Sequence, residues 1–225
     1  MKAPSRLRLG SRGQPAESRA AILHAAVDEF AEYGIAGART DAIARAARVN
    51  KALLYYYFRD KEALYQAALD HVFSGLRDTV LPRLEGPGSP RERLLAYVAA
   101  YFDYIAANPR FPRVVQGEWI RSGTKHAGRM KRIAQQYFRP IYQKLGEVMG
   151  EGIAAGEFRP IDPMHFVPSM VAIILFYFTA VPVIKAMMKF DPLAPERIAE
   201  RRAFVLDFIS AALFTRPLSP QGVRS

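Results

Sequence analysis

The chain has 225 residues, half of them hydrophobic, and it contains no cysteine. This apolar content excludes a disordered or collagen-like chain, and the length allows one large domain or two small ones. Without cysteine there are no disulfides, thiolate metal sites or cysteine nucleophiles. A formal net charge of +11 favours a polyanionic partner, either nucleic acid or an anionic membrane surface.

The positive charge is densest at the N-terminus. Residues 1–61 carry eleven basic and six acidic side chains, and the first 13 residues contain no acid. The basic residues of that first stretch are Lys2, Arg6, Arg8 and Arg12. We predict a disordered basic arm over 1–13, which is either a solubilising terminus or a contact to DNA phosphates or the minor groove. The arm lacks the apolar run of a signal peptide, so we expect a cytoplasmic protein.

Apolar periodicity predicts helices along the whole chain. One apolar face runs from Glu17 to Tyr33, and Gly34 follows as a helix stop. Residues 81–90 hold three prolines and two glycines and are predicted to form a linker. Later helices are predicted over Pro90–Ala107, Val114–Ile120, about 128–155, 166–181 and about 195–214. No run of alternating strands is present, so the predicted fold class is all-α.

Two short helices near the N-terminus have the spacing of a helix-turn-helix. They are predicted over Asp41–Ala47 and Lys51–Phe58, with a three-residue turn between them. Thr40, Asn50 and Asp60 are the expected N-caps of successive helices. At about 100° per residue, the second helix divides into two faces. Its core face is predicted to hold Leu54, Tyr57 and Phe58, while Ala52, Leu53, Tyr55 and Tyr56 lie elsewhere.

The side chains outside the core face suit a DNA duplex. Tyrosine hydroxyls at Tyr55 and Tyr56 can bond phosphates, and the Lys51 ammonium can reach a phosphate or a guanine. Ala52 and Leu53 cannot hydrogen-bond a base, but they can contact a thymine methyl group. The alternative is that the tyrosine run only packs against neighbouring helices.

The stretch from residue 34 to residue 64 resembles the DNA-binding segment of the tetracycline-repressor (TetR) family. The matching positions are Gly34, Thr40, Ile43-Ala44, Val49-Asn50-Lys51, Leu54 to Phe58 and Lys61 to Leu64. The turn departs from the family at Arg48, where glycine is usual, and a left-handed backbone there would cost roughly 1 kcal/mol. The resemblance implies a three-helix DNA-binding domain over 14–65, a helical ligand-binding and dimerisation domain over 66–216, and a flexible tail over 217–225.

Three groups of site residues follow from the motif and the resemblance. The candidate DNA contacts are Arg39, Thr40, Arg48, Asn50, Lys51, Ala52, Leu53, Tyr55, Tyr56 and Lys61. The candidate ligand contacts, which come from an aromatic-rich segment, are Tyr101, Phe102, Gln116, Trp119, Tyr137, His165, Phe166, Met170 and Tyr177. The candidate dimer contacts, on the last two long helices, are Phe176, Ile198, Val205, Phe208, Ile209 and Leu213.

The resemblance implies a ligand-responsive transcriptional regulator. The expected protein is a repressor that binds a palindromic double-stranded DNA operator as a homodimer and is released by a small apolar or aromatic effector. No catalytic motif or metal-ligand spacing is present, so we expect no enzyme activity, cofactor or metal. The alternative is a basic membrane-surface protein, because residues 163–184 are uncharged apart from His165. Three prolines interrupt that segment, and we expect no membrane partner.

Overall fold

The computed structural model describes residues 15–121 and 127–215. The predicted arm over 1–13 and tail over 217–225 lie outside the described residues. The helices are α1 (Pro15–Gly37), α2 (Thr40–Ala46), α3 (Lys51–Tyr57), α4 (Lys61–Glu85), α5 (Pro90–Ala107), α6 (Phe111–Arg121), α7 (Ala127–Ile133), α8 (Arg139–Ala154), α9 (Pro163–Thr179), α10 (Val181–Met187) and α11 (Pro195–Leu213). Within this part of the chain the fold is all-α, and extended pairing is limited to a bridge between Phe158 and Phe214.

Two helices depart from their predicted lengths. The predicted linker over 81–90 is wrong in its first half, because α4 continues to Glu85 with Pro82 inside it. Val80 and Leu84 are completely buried, so packing holds the last turn although Pro82 removes one backbone donor. The helix predicted over about 128–155 is present, but a π-helical turn, Ala134–Phe138, separates α7 from α8.

The glycine predicted to stop the first helix does change the backbone direction. Gly34 has φ 63° and ψ 177°, which interrupts the helical geometry of α1 near its end. Left-handed φ values favour glycine because it has no Cβ to clash with the backbone. The chain then continues through the buried Ala38 into α2.

The described chain forms two compact units. The N-terminal unit comprises residues 15–73 and 113–121, and the C-terminal unit comprises residues 74–112 and 127–215. The first boundary therefore falls inside α4, between Phe73 and Ser74. The domain limits inferred from the sequence, 14–65 and 66–216, remain a proposal.

The N-terminal unit is built around α1 to α4, with most of α6 packed against them. Its innermost side chains are Ile22, Ile43, Leu54, Leu64 and Leu69, all at 0% exposure. The Tyr65 hydroxyl donates a 2.8 Å hydrogen bond to the carboxylate of Glu118 on α6, which is completely buried. Burying a carboxylate is costly unless it is hydrogen-bonded, so this contact fixes the position of α6 within the unit.

The C-terminal unit packs α5, α8, α9 and α11 around an apolar core. Its buried side chains include Leu94, Val98, Phe102, Leu145, Ile174 and Val205. The Arg202 guanidinium on α11 donates two hydrogen bonds to Asp103 on α5, at 2.7 and 3.0 Å. A paired guanidinium–carboxylate contact of this kind fixes orientation as well as distance.

The helix α9 is the most apolar of the described elements. No single described helix is both long and apolar enough to cross a bilayer, whereas α9 and α10 taken together reach that length and composition with a 56° bend between them.

Candidate nucleic-acid interface

The two short helices of the N-terminal unit are held by a small set of buried side chains. Ile43 and Ala44 anchor α2, while Leu54 and Phe58 anchor α3 and the residue after it. The Arg19 guanidinium of α1 lies 5.3 Å from the centre of the Phe58 ring. Because these anchors lie on the inner faces, the opposite faces of α2 and α3 are left towards solvent.

The beginning of α2 differs from the prediction. Thr40 was expected to be the N-cap, but it is the first helical residue, and Arg39 occupies the cap position with extended φ and ψ and no side-chain cap bond. The Arg39 backbone N–H instead donates a 2.9 Å hydrogen bond to Glu29 of α1. The Thr40 hydroxyl is thereby left to interact with α3.

The turn between α2 and α3 has one strained residue and one effective cap. Arg48 has φ 56°, so its backbone adopts the left-handed conformation that glycine, the usual residue of the family at this position, adopts at lower cost. The Asn50 side chain accepts a 2.7 Å hydrogen bond from the Leu53 N–H, which confirms it as the N-cap of α3. The charged Arg48 side chain is therefore exposed at the turn, and the side-chain oxygen of Asn50 is occupied by the cap hydrogen bond.

The helical-wheel division of α3 is confirmed for its core residues. Leu54 and Phe58 are 0% and 4% exposed, and Tyr57 is half-buried. Tyr56 is 80% exposed and Tyr55 40% exposed, so packing does not account for the whole tyrosine run. Lys51 and Ala52 are also exposed, and Leu53 is half-buried. A phosphate or a base edge could reach each of the exposed side chains.

Two side-chain contacts join the first turns of α2 and α3. The hydroxyl oxygens of Thr40 and Tyr55 lie 3.2 Å apart, within hydrogen-bond distance. The Lys51 ammonium lies 2.8 Å from the Asp41 carboxylate, and both side chains are about half exposed, at 53% and 51%. The hydrogen bond and charge of Lys51 lower the pKa of Asp41, and Asp41 raises the pKa of Lys51 for the same reason. Both groups therefore keep their charges at neutral pH.

Asp41 is the residue of this surface that sequence reasoning missed. The sequence showed an acid in the first turn of α2, where it interacts favourably with the helix dipole. The pairing with Lys51, ten residues later, depends on the angle between two helices. Periodicity within one helix could not have predicted it.

Lys61 points to a different partner from the one expected. It was predicted to contact DNA, but it is half-buried and its ammonium donates a 3.2 Å hydrogen bond to the backbone carbonyl of Ala36. This contact ties the start of α4 to the segment before α2. Asp60, as predicted, caps α4 by accepting a 2.7 Å hydrogen bond from the Ala63 N–H.

The candidate ligand contacts do not all lie together. Five of them are buried in the C-terminal unit: Tyr101, Phe102, Tyr137, Phe166 and Met170. Tyr177 is half-buried and its hydroxyl donates a 2.7 Å hydrogen bond to the Pro192 carbonyl. His165 is exposed, and the exposed Gln116 and Trp119 belong to the N-terminal unit, so these three are not part of the buried aromatic set.

The candidate dimer contacts divide between core and surface. Val205, Ile209 and Leu213 are at most 2% exposed within the subunit, so the structure corrects the expectation that these three face a partner. Their side chains pack against the other helices of the C-terminal unit because they share the inner face of α11. Phe208 is 50% exposed, Phe176 is 71% exposed, and Ile198 is half-buried. Phe204, which sequence reasoning did not select, is 52% exposed and stacks against Phe208.

Two family models match successive parts of the chain. Residues 22–68 match the family described as bacterial regulatory proteins, tetR family. Residues 90–209 match the family described as tetracyclin repressor-like, C-terminal domain. Both families consist of transcriptional regulators and not of enzymes.

Two curated relatives and one solved structure show the extent of the similarity. The HTH-type transcriptional repressor SCO4008 of Streptomyces coelicolor is 34% identical over 127 residues, which are 56% of this chain and 62% of that protein. The HTH-type transcriptional repressor NicS of Pseudomonas putida is 31% identical over 153 residues, covering 68% and 65% of the two chains. The chain thus spans slightly less than two thirds of each relative. The ketosteroid transcriptional regulator KstR2 of Mycobacterium tuberculosis, at 20% identity, shares the fold with a TM-score of 0.71 over 93% of this chain and 98% of that one.

Proposed function

The chain belongs to the TetR family of bacterial regulatory proteins, and on that premise we propose that it represses transcription by binding a palindromic operator as a homodimer. The single observation that carries the proposal is the packing of α3. Leu54 and Phe58 fix one side of the helix, while Lys51, Ala52, Tyr55 and Tyr56 are presented to solvent. This arrangement combines phosphate contacts with side chains that can meet base edges.

The homodimer is supported by the exposed aromatic residues of the C-terminal unit. Phe176 on α9 and Phe204 and Phe208 on α11 are each at least half exposed. Phe204 and Phe208 stack with ring centres 6.1 Å apart, and exposed apolar patches with aromatic residues are characteristic of association surfaces. A symmetric dimer would supply two copies of α3 for the two halves of a palindrome.

The small-molecule response is supported by the aromatic interior of the C-terminal unit. Tyr97 and Tyr101 are buried with ring centres 6.1 Å apart, and burial raises the pKa of both phenols. Phe102 and Phe178 lie in contact with ring centres 5.4 Å apart. We infer that an effector for this region is apolar or aromatic, with few hydrogen-bonding groups.

The test is a selection of DNA duplexes from a random pool by the full-length protein, followed by footprinting and affinity measurement. We expect enrichment of an inverted repeat. Tyr56→Phe should weaken binding to the enriched duplex by roughly tenfold or more, because a hydrogen bond to a charged group contributes about 1.5–3 kcal/mol. Tyr142→Phe is the matched control, since its hydroxyl lies in the C-terminal unit, 3.7 Å from the Met164 sulfur. Failure to enrich any sequence, or equal effects of the two substitutions, would refute the proposal.

A further inference from the structure

The acidic side chain of Asp41 lies among the basic and polar groups of the proposed DNA surface. Its carboxylate is 2.8 Å from the Lys51 ammonium, and about half of each side chain is open to solvent. An anion at this position opposes DNA phosphates, so its presence requires a physical reason. In the absence of DNA, the ion pair neutralises the Lys51 ammonium.

We propose that Asp41 is a specificity-determining residue, which holds Lys51 as an internal counterion and so suppresses sequence-independent binding to phosphate. The inference rests on the proposed function, in which α3 is the DNA-reading helix. Non-specific affinity depends on how many cations neutralise phosphates and release condensed counterions. A lysine that is already paired with a carboxylate adds little to the number of phosphates that the protein neutralises. Contacts between the protein and base edges do not depend on that number.

The surroundings of Asp41 keep the ion pair in place. The Thr40 and Tyr55 hydroxyls, 3.2 Å apart, connect the same two helical turns, so α2 and α3 cannot separate without breaking both contacts. Arg39 and Arg45 add to the effect of Lys51 in lowering the pKa of Asp41. The carboxylate therefore stays ionised and remains the counterion of Lys51.

The ion pair also predicts which DNA is penalised. A scrambled duplex offers Lys51 only phosphates, so binding must exchange one anionic partner for another and bring Asp41 close to the backbone. A duplex that fits α3 instead offers the Lys51 ammonium a guanine edge, which one of its three N–H groups can contact while another stays paired with Asp41. Asp41 therefore lowers non-specific affinity more than specific affinity, and the ratio of the two rises.

The experiment compares wild type with Asp41→Asn on two 30-base-pair duplexes over a range of salt concentrations. One duplex is a scrambled sequence and the other is a sequence enriched by the wild-type protein. Asp41→Asn should bind the scrambled duplex roughly two- to fivefold more tightly, which matches the usual strength of an exposed ion pair. The slope of log affinity against log salt should become steeper by up to about 0.9, the value for one added phosphate contact. The enriched duplex should change less.

Three further variants make the test specific to the ion pair. Asp41→Glu keeps the charge and should behave as wild type. Glu147→Gln frees Lys144 from an ion pair of the same 2.8 Å length in the C-terminal unit, and it should leave both duplexes unaffected. In a Lys51→Ala background, Asp41→Asn has no ammonium to release, so it should leave the salt slope unchanged.

The outcomes separate this inference from the proposed function. If wild type binds and enriches DNA but Asp41→Asn changes neither slope nor specificity ratio, only the role of Asp41 is refuted. Equal steepening with and without Lys51 would also refute it, because the effect would then be one of general charge. If wild type shows no salt-dependent binding to any duplex, the proposed function fails together with the inference.

Discussion

Arg48 holds a backbone conformation that glycine adopts more easily. Its φ of 56° is positive, and its side chain is exposed at the turn between α2 and α3. A left-handed conformation costs a residue with a Cβ about 1–2 kcal/mol. The strain is located in the proposed DNA-binding turn, where an additional positive charge would favour contact with phosphate. Stability and binding therefore make opposite demands at this position.

Arg48→Gly should raise stability and weaken DNA binding. Glycine removes the strain, and its greater entropy in the unfolded chain offsets part of the gain, so a net stabilisation below about 1 kcal/mol is expected. Thermal unfolding should then shift upward by about 2–4 °C at most. Arg48→Ala is the matched control, because it removes the charge and keeps the strain. If both variants have the same melting temperature, the backbone strain has no energetic consequence.

The N-caps of the helices were predictable from the sequence in two of three cases. Asn50 and Asp60 cap α3 and α4 as predicted, since a cap depends on a side chain and a backbone N–H only three residues apart. Thr40 does not cap α2, although threonine favours that position. Its hydroxyl lies near Tyr55, fifteen residues later, and Arg39 bonds Glu29 of another helix. Contacts between elements overrode the local preference in that case.

At the scale of one helix, α8 contains three glycines in different surroundings. A Cβ added at Gly152 would collide with the Phe158 ring, which itself stacks on Phe214 with ring centres 5.3 Å apart. A Cβ at Gly146 or Gly150 would have no neighbouring atom within 4 Å. The close approach of Phe158 therefore requires glycine at only one of the three positions.

Gly152→Ala and Gly150→Ala should change stability in opposite directions. Alanine at 152 must displace an aromatic ring, and overpacking of this kind costs about 1–3 kcal/mol. Alanine at 150 meets open space and has a better helix propensity, so a gain of up to about 1 kcal/mol is expected. Urea unfolding of the two variants beside wild type measures both effects. A destabilised Gly150→Ala, or an unchanged Gly152→Ala, would contradict the packing described here.

The contact between α1 and α4 includes a pair of histidine rings. The rings of His24 and His71 lie 5.1 Å apart, edge to face. Partial burial, and then the nearby His24 and Arg19, lower the pKa of His71 below its usual 6.5. The unfolded chain therefore binds the proton more readily than the folded one, so stability falls as the pH drops below about 6.5.

Replacing His71 should reduce this pH dependence. We expect wild type to lose more stability than His71→Gln between about pH 7.5 and pH 5, because glutamine has no proton to gain. Carboxylates titrate in the same direction, but they contribute equally to both proteins and cancel in the comparison. Chemical unfolding at the two pH values gives the difference. An identical loss in the two proteins would show that His71 contributes nothing.

Element boundaries were predictable where the sequence contains its own signals. Pro90–Ala107 agrees with the prediction because Ser89 and Glu92 form a capping box directly before the apolar stripe. The end of α4 was misjudged because a proline suggested a break, whereas burial of Val80 and Leu84 stabilises the turn around it. The sequence analysis placed both Phe208 and Ile209 of α11 at a dimer contact, but the neighbouring helices of the unit bury Ile209 and leave Phe208 half exposed. Such coverage is a property of the assembled unit.

At the scale of the whole molecule, the exposed faces of α9 and α11 suggest a surface for a second copy of the chain. Phe176, Phe204 and Phe208 are exposed although aromatic side chains of their size are usually buried. Ile209, one position after Phe208, is only 2% exposed and belongs to the core. A substitution at Phe208 should therefore affect association, whereas one at the neighbouring Ile209 should affect the stability of the subunit.

Phe208→Glu should therefore dissociate the proposed dimer without unfolding the subunit. Sedimentation should show a wild-type dimer and a Phe208→Glu monomer at micromolar concentration, with unchanged helical circular dichroism. Ile209→Glu should instead lose helical structure, because an unpaired buried charge costs several kcal/mol. Ala203→Glu adds the same charge at another exposed position of α11 and should remain dimeric. On an inverted repeat, the monomeric variant should lose affinity while its binding to a single half-site is retained, because each α3 is intact but no longer linked to its symmetry mate. A wild-type monomer, or a Phe208→Glu dimer with unchanged affinity for the repeat, would exclude this surface as the one that pairs the two reading helices.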